Sequence, residues 1–391
     1  MTQPLSGIRV IEMGQLIAGP FTTTLLAWFG AEVIKIEPPA GDPIRHWRKL
    51  DDTGTSWWWY SIGRNKKSVT LDLKQERDRQ LARQLIDKAD VLVENFRPGT
   101  MEAWGLGPEA FKDNHPNLVY TRISGYGQTG PNAAKPGYAS VCEGFGGFRY
   151  LNGFPGEAPV RPNLSMGDTL AAIHAALGTV MALLHRERGG AGQTVDVAIF
   201  EAVFNLLESV IPEFSGAELV REPSGTTLTG IVPTNTYRSR DGKFVIIGGN
   251  GDSIFKRLME AAGRQDMADD PRLAHNPGRV EHEAEIDAAI SHWCSQHNAA
   301  DLLAQLETAR VPAGPIYTVA DIFSDPQYQA RGLLESVTIN GKPLTLPAFA
   351  PHLNATPGQT RWVGPALGEH NREVLGELLG LSDAELAARG H

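Results

Sequence analysis

Cysteine is nearly absent: only Cys142 and Cys294 occur in 391 residues. So few, so far apart, exclude a disulfide framework and any Cys-x-x-Cys metal pair, and each reads as a buried, unreactive thiol. Positive charge is in deficit. With 36 Lys+Arg against 45 Asp+Glu the net charge is −9, the wrong sign for holding nucleic acid through its phosphates. No run of about 18 uninterrupted apolar residues occurs, and the opening residues Thr2 to Gly7 offer neither the basic region nor the apolar core of a secretory leader. A membrane span is therefore not expected, and the cytoplasm is the expected location. The 11 His residues form no His-Glu-x-x-His or His-x-His pattern, so no metal site is expected. Internal repeats and low-complexity tracts are also missing.

What is present is an ordinary globular composition, 41% hydrophobic and 21% charged, enriched in turn formers with 42 Gly and 26 Pro. At about 150 residues per domain the length suggests two or three domains. Strand-like runs at 8–11, 32–37, 68–72, 91–95 and 118–123 alternate with helical patterns near 18–29 and 75–88. That alternation predicts an α/β fold built on a doubly wound parallel sheet. Residues 168–188 read as a buried helix closed by Gly189-Gly190, followed by a strand at 193–198 and a helix at 201–213. The expected organisation is a large α/β domain over 1–213, to which the extended, Pro-rich segment 345–391 returns. A linker or active-site loop at 214–241 and a smaller α+β domain at 242–344 complete it.

Several segments invite a chemical reading. Gly14-Gln-Leu-Ile-Ala-Gly19-Pro20 follows a strand and opens a helix, yet matches neither Gly-x-Gly-x-x-Gly nor a Walker loop, so a structural turn is preferred. Gly248-Gly-Asn-Gly251 reads as a strand-end turn in preference to an anion cradle. The aromatic run Trp57-Trp58-Trp59-Tyr60 reads as an anchor in the core or in a subunit interface. No Gly-x-Ser-x-Gly elbow exists for a serine nucleophile. Asp168, between Gly167 and a long apolar helix, has two compatible roles: a helix N-cap, or a carboxylate nucleophile kept ionised by the positive end of the helix dipole.

Taken in order, many segments resemble the class III CoA-transferases, the group with formyl-CoA transferase and carnitine CoA-transferase. They include Pro4-Leu-Ser-Gly-Ile-Arg-Val-Ile-Glu12, Phe29-Gly-Ala-Glu-Val-Ile-Lys-Ile-Glu37, Asn65-Lys-Lys-Ser68 and Val93-Glu-Asn-Phe-Arg-Pro-Gly99. Gly125-Tyr-Gly-Gln-Thr-Gly-Pro131, Ser165-Met-Gly-Asp168, Val311-Pro-Ala-Gly-Pro315 and Leu367-Gly-Glu-His370 extend the likeness along the chain. The resemblance implies an elongated, ring-like chain interlocked in a homodimer, and a reaction that moves CoA between carboxylic acids through Asp168. Coenzyme A and acyl-CoA enter as substrates, with no permanently bound cofactor. CoA contacts are implied at Gln15, Ile17, Ala18, Leu71, Lys74, Asn95, Phe96, Arg97, Gly137 and Tyr138, with Arg45, Lys74 and Arg97 facing phosphate. Gly225 and Gly230 mark the loop implied to close over the substrate.

Departures from that pattern carry information. Ile17 replaces the Gln of formyl-CoA transferase, Ala139 stands where many relatives have an acid, and the 225–233 loop has fewer glycines. The related α-methylacyl-CoA racemases need a His where this chain has Tyr138, whose phenol titrates far above neutrality. Succinyl-CoA and a dicarboxylic acid are the expected substrates, from a likeness of the 223–237 loop to dicarboxylate transferases.

Overall fold

Period-two alternation in the parallel strands aims side chains at both faces of one sheet, so two cores are expected and two are found. The computed structural model describes residues 2–387. The chain divides into two compact units, one made of residues up to Phe148, Arg161–Glu208 and the stretch from Gln327, the other of Arg149–Val160 and Ser209–Pro326.

The first unit holds strands β1 (Arg9–Glu12), β2 (Glu32–Glu37), β3 (Lys66–Thr70), β4 (Val91–Glu94), β5 (Val119–Ser124) and β6 (Thr194–Ala198) in the order β3-β2-β1-β4-β5-β6. Every pairing is parallel. Val10 lies beside Val33 and Val91, while Ile11 lies beside Ile34 and Leu92. The valines enter one core and Ile11, Ile34 and Leu92 the other. Replacing Ile11, wholly buried, by Ala would cost about 2–5 kcal/mol.

Helices α1 (Ala18–Trp28), α2 (Trp57–Ile62), α3 (Glu76–Ile86), α4 (Thr100–Ala103) and α5 (Ala139–Phe145), with α7 (Met166–Glu187) and α8 (Ile199–Phe204), connect or cover the strands, while α6 (Phe148–Leu151) runs from the last residue of one stretch of this unit into the second. Ala171, Ala172, Ala175 and Ala176 are buried on α7, a small-residue face that lets it approach α1 and the sheet closely. Thr179 on the same helix meets Thr121 of β5 at 2.7 Å. The opposite face of α7 is apolar and open, as Ile173, Leu177, Met181 and Leu184 are each about half exposed. Trp59 of the aromatic run is a core anchor, its indole N–H donating to the Pro365 carbonyl at 2.9 Å.

The second unit carries α9 (Val210–Ala217) and an antiparallel sheet ordered β7-β8-β9 from Thr234–Arg238, Phe244–Gly248 and Ala313–Pro315. Its core comes from these strands and from helices that include α10 (Asp252–Ala261), Glu283–Ser295 and Ala299–Thr308. The Gly248–Gly251 segment is a turn from β8 into α10.

Three expectations need correction. The segment 214–241 is no free-standing linker, because β7 pairs with β8 along five residues. The hairpin of β10 (Leu334–Ile339) and β11 (Lys342–Pro347) belongs to the first unit and not to the small domain, since Ile339, Val337 and Leu344 join a core with Ile17, Ile44 and Trp59. The helix expected over 201–213 is two helices, α8 and α9, interrupted where Glu208 takes a left-handed φ of 45°.

Candidate active site

In an open parallel sheet, neighbouring strands whose connections run to opposite sides leave a crevice at their carboxyl ends. Here those strands are β1 and β4. A cavity of about 320 Å³ occupies that position, bounded by Gln15 to Ala18 after β1, Asn95 to Pro98 after β4 and Ile123 to Gly125 at the end of β5. Gly137, Tyr138, Asp168 and Ile199 close it. Asn95 joins the first two loops, accepting from the Gln15 N–H at 2.8 Å and donating to the Gln15 carbonyl at 2.9 Å. Gly125 and Gly137 touch backbone to backbone, and a Cβ on Gly125 would sit 2.8 Å from the Gly137 Cα.

The loop after β1 rests on buried charges. Glu12, fully buried, meets Lys35 at 2.6 Å, Lys66 at 2.8 Å and the Thr23 hydroxyl at 2.6 Å. Lys35 also pairs with Asp42 at 2.8 Å and donates to the Gly14 carbonyl at 2.8 Å. Asp42 in turn accepts from the Leu16 N–H at 3.0 Å, holding that residue at its left-handed φ of 65°. Burial pushes the Glu12 carboxyl up, but Lys35 and Lys66 outweigh it and bring it down to about 2. Burial similarly brings Lys66 down to about 8.

Asp168 has the opposite environment. It lies in the first turn of α7, which begins at Met166 after Ser165, so it is not the N-cap residue that one reading expected. Burial is the largest influence and raises its carboxyl to about 6, the nearby Glu143 adds to the rise, and Arg161 opposes it. At neutral pH the group is therefore ionised yet more basic than an exposed aspartate, which suits a nucleophile. The first-turn amides and dipole of α7 supply positive potential beside it.

Nine of the residues singled out in the sequence surround this cavity: Gln15, Ile17, Ala18, Asn95, Phe96, Arg97, Gly137, Tyr138 and Asp168. Leu71 and Lys74 line a second cavity of about 200 Å³ that shares Gln15 and Phe96 with the first. The side chains of Lys74 and Arg97 are exposed and make no ion pair among the described residues. Arg45 lines neither cavity. Its guanidinium is buried, paired with Glu37 at 2.7 Å, bonded to the Pro365 carbonyl at 3.0 Å and stacked on Trp59, so it holds the fold and is not presented to phosphate. Gly225 and Gly230 lie in the second unit with left-handed φ of 70° and 78°.

Sequence reasoning passed over four residues. Lys135 borders the main cavity as an exposed cation. Ser124 borders it too, 94% buried with a hydroxyl that has no partner among the described residues. Glu143 and Arg161 set the charge around Asp168. A lone acid in the short apolar stretch 139–145 was a usable signal; Ser124 ends a buried strand, where a serine draws no notice, and Lys135 and Arg161 stand in polar loops that look like solvated surface.

A carboxylate with a raised pKa at the switch point of a doubly wound sheet, flanked by amides and exposed cations, is the arrangement that group transfer to or from a phosphate-bearing carrier calls for. The profile of CoA-transferase family III matches residues 5–371, and the chain belongs to that family. It is 45% identical to a succinyl-CoA–D-citramalate CoA-transferase of Chloroflexus aurantiacus over 98% of this chain and 96% of that one. It is 36% identical to a succinate–glutarate CoA-transferase of Agrobacterium fabrum, covering 96% of each. The crystal structure of a CaiB/BaiF family protein from Brucella suis superposes with a TM-score of 0.85 at 33% identity, over 97% of this chain and all of that one.

Proposed function

We propose that this CoA-transferase takes CoA from succinyl-CoA and delivers it to a dicarboxylic acid, with Asp168 as the covalent relay. The observation that carries the reading is the placement of Asp168, half-buried in the first turn of α7 against the switch-point cavity, with its carboxyl raised to about 6. The names of the relatives, which pair succinyl-CoA with citramalate and succinate with glutarate, support the choice of substrates.

An Asp168 carboxylate oxygen attacks the thioester carbonyl carbon, the C–S bond breaks, and CoA leaves as the thiolate. The mixed anhydride that remains is attacked by the thiolate at the Asp168 carbonyl carbon. Its C–O bond breaks, succinate departs, and an Asp168–CoA thioester is left. An acceptor carboxylate then runs the same two exchanges in reverse. Each passes through a tetrahedral oxyanion, for which the candidate donors are the α7 first-turn amides not already given to Glu143 or the Ser165 carbonyl and those near the Gly125–Gly137 contact. Lys74, Arg97 and Lys135 supply charge for the CoA phosphates. No resident cofactor takes part, and two free, buried cysteines suit a reducing cytoplasm.

The open apolar face of α7 supports a homodimer in which a second copy covers it, in the interlocked arrangement that the resemblance implies. Incubation with succinyl-CoA followed by intact-mass measurement and peptide mapping tests the relay. A CoA-sized addition on the peptide containing Asp168 is expected; an addition elsewhere, or none, removes Asp168 from this role.

A further inference from the structure

Glu143 is the one acidic side chain of α5, and it is fully buried. Its Oε1 accepts the Gly167 N–H at 3.2 Å, at the start of the helix that carries Asp168. The helix can come this close because Ala139, one turn earlier on α5, packs against Gly167: a Cβ there would sit 3.3 Å from the Ala139 Cα. The other oxygen, Oε2, accepts from Nε of Arg161 at 3.2 Å. Arg161 thus stands one carboxylate away from the residue that precedes the nucleophile.

A guanidinium held through Nε keeps its end-on fork for another acid. Nη1 and Nη2 of Arg161 have no partner among the described residues, and its side chain is 39% exposed. Glu143, by contrast, is sealed from solvent and cannot itself meet a substrate. The division of labour is that of an orienting carboxylate behind and an open bidentate fork in front.

We infer that Arg161, oriented by Glu143, receives the distal carboxylate of the succinyl group and of the dicarboxylic acceptor, and so selects dicarboxylates over monocarboxylates. The inference rests on the transferase reading above and adds the residue that defines its substrate class. Its charge is felt at Asp168, which places the fork in the electrostatic neighbourhood of the reacting carboxylate. A monocarboxylyl group of equal length leaves the fork without a partner and gains nothing from it.

The test compares succinyl-CoA with butyryl-CoA, which has the same chain length and a methyl in place of the distal carboxylate. Wild type, Arg161→Met and Arg161→Lys are each followed by the rate of CoA addition to Asp168 and by steady-state turnover. Arg161→Met is expected to lower kcat/KM for succinyl-CoA on the order of 10- to 100-fold, the worth of a charged hydrogen-bonded pair, chiefly through KM. Butyryl-CoA, for which the variant loses only the charge that Arg161 sets against the rise at Asp168, should fall by a clearly smaller factor, and Arg161→Lys, which keeps charge but loses the fork, should recover part of the loss. An equal loss on both donors would mark Arg161 as structural and overturn the inference, as would no loss on either. A wild type that adds CoA to Asp168 from butyryl-CoA at least as well as from succinyl-CoA overturns it while the transferase reading stands. No addition to Asp168 from either donor removes both.

Discussion

Glu12 and Asp168 are both carboxylates withdrawn from water within the same unit, and they respond in opposite directions. Burial raises each, yet Lys35 and Lys66 pull Glu12 down to about 2, whereas Asp168 has like-charged Glu143 as its next influence and rises to about 6. The difference lies in the partners. Where two ammonium groups touch a carboxylate, its electrons are committed to holding a loop; where the nearest strong influence is another carboxylate, they remain available for attack. The first arrangement shapes the wall of the cavity and the second leaves a more basic carboxylate facing it, the group proposed above as the relay.

The most severe way to break the comparison is at Asp168 itself. Asp168→Asn should lower turnover by at least about 10⁴-fold, as loss of a covalent nucleophile does, and yet make the protein more stable at pH 7. The sign follows from the raised carboxyl: the folded state holds its proton through the window from about 4 to about 6, so stability falls as pH rises across it. Removing the charge should return on the order of 2 kcal/mol, allowing for partial exposure; denaturant melts of both proteins at pH 7 decide, and a less stable Asn variant would contradict the account. Wild-type activity should fall as pH drops through about 6.

Glu12→Gln should act in the reverse sense. It leaves Lys66 without its carboxylate partner and Lys35 with Asp42 alone, a loss of about 3–5 kcal/mol in a denaturant melt. The contribution of Glu12 is present above its ordinary range and disappears as pH falls from about 4.5 toward 2, so the two proteins should converge in acid. Convergence at neutral pH would mean that the ammonium groups had found other partners.

Asn95→Ala sharpens the link between the two regions, because Asn95 ties the loop supported by Glu12 to the loop carrying Arg97. Two lost hydrogen bonds should weaken CoA binding roughly 10-fold, as read by calorimetry, with the melting transition nearly unmoved. Unchanged affinity would show that the loop after β1 holds its shape without the clasp.

The large sheet was readable in advance because parallel strands buried on both faces leave nearly continuous apolar runs, as in Glu32–Glu37, whose limits matched. Asp168 was singled out as a candidate from its setting between glycine and an apolar helix, a setting that did not reveal its place within the first turn. Arg45 misled because a guanidinium in a Gly/Pro-rich loop looks solvated until Glu37 and Trp59 close around it. The hairpin Leu334–Pro347 was assigned to the wrong unit for a similar reason, since its partners Ile17, Ile44 and Trp59 lie some 300 positions earlier. Contacts at that separation leave no mark in local periodicity.

The same long separation governs how the protein is made. The core that contains Ile11, Ile34 and Leu92 also contains Val374, Leu375 and Leu386, so side chains made before the second unit wait for others made after it. Among the described residues the core of the second unit draws only on those between Val232 and Val311, and these are all present once that stretch has left the ribosome. On a translating ribosome the inserted unit can therefore finish first, while the core on one face of the parallel sheet stays incomplete, with apolar surface that a chaperone could hold, until Val374, Leu375 and Leu386 have emerged.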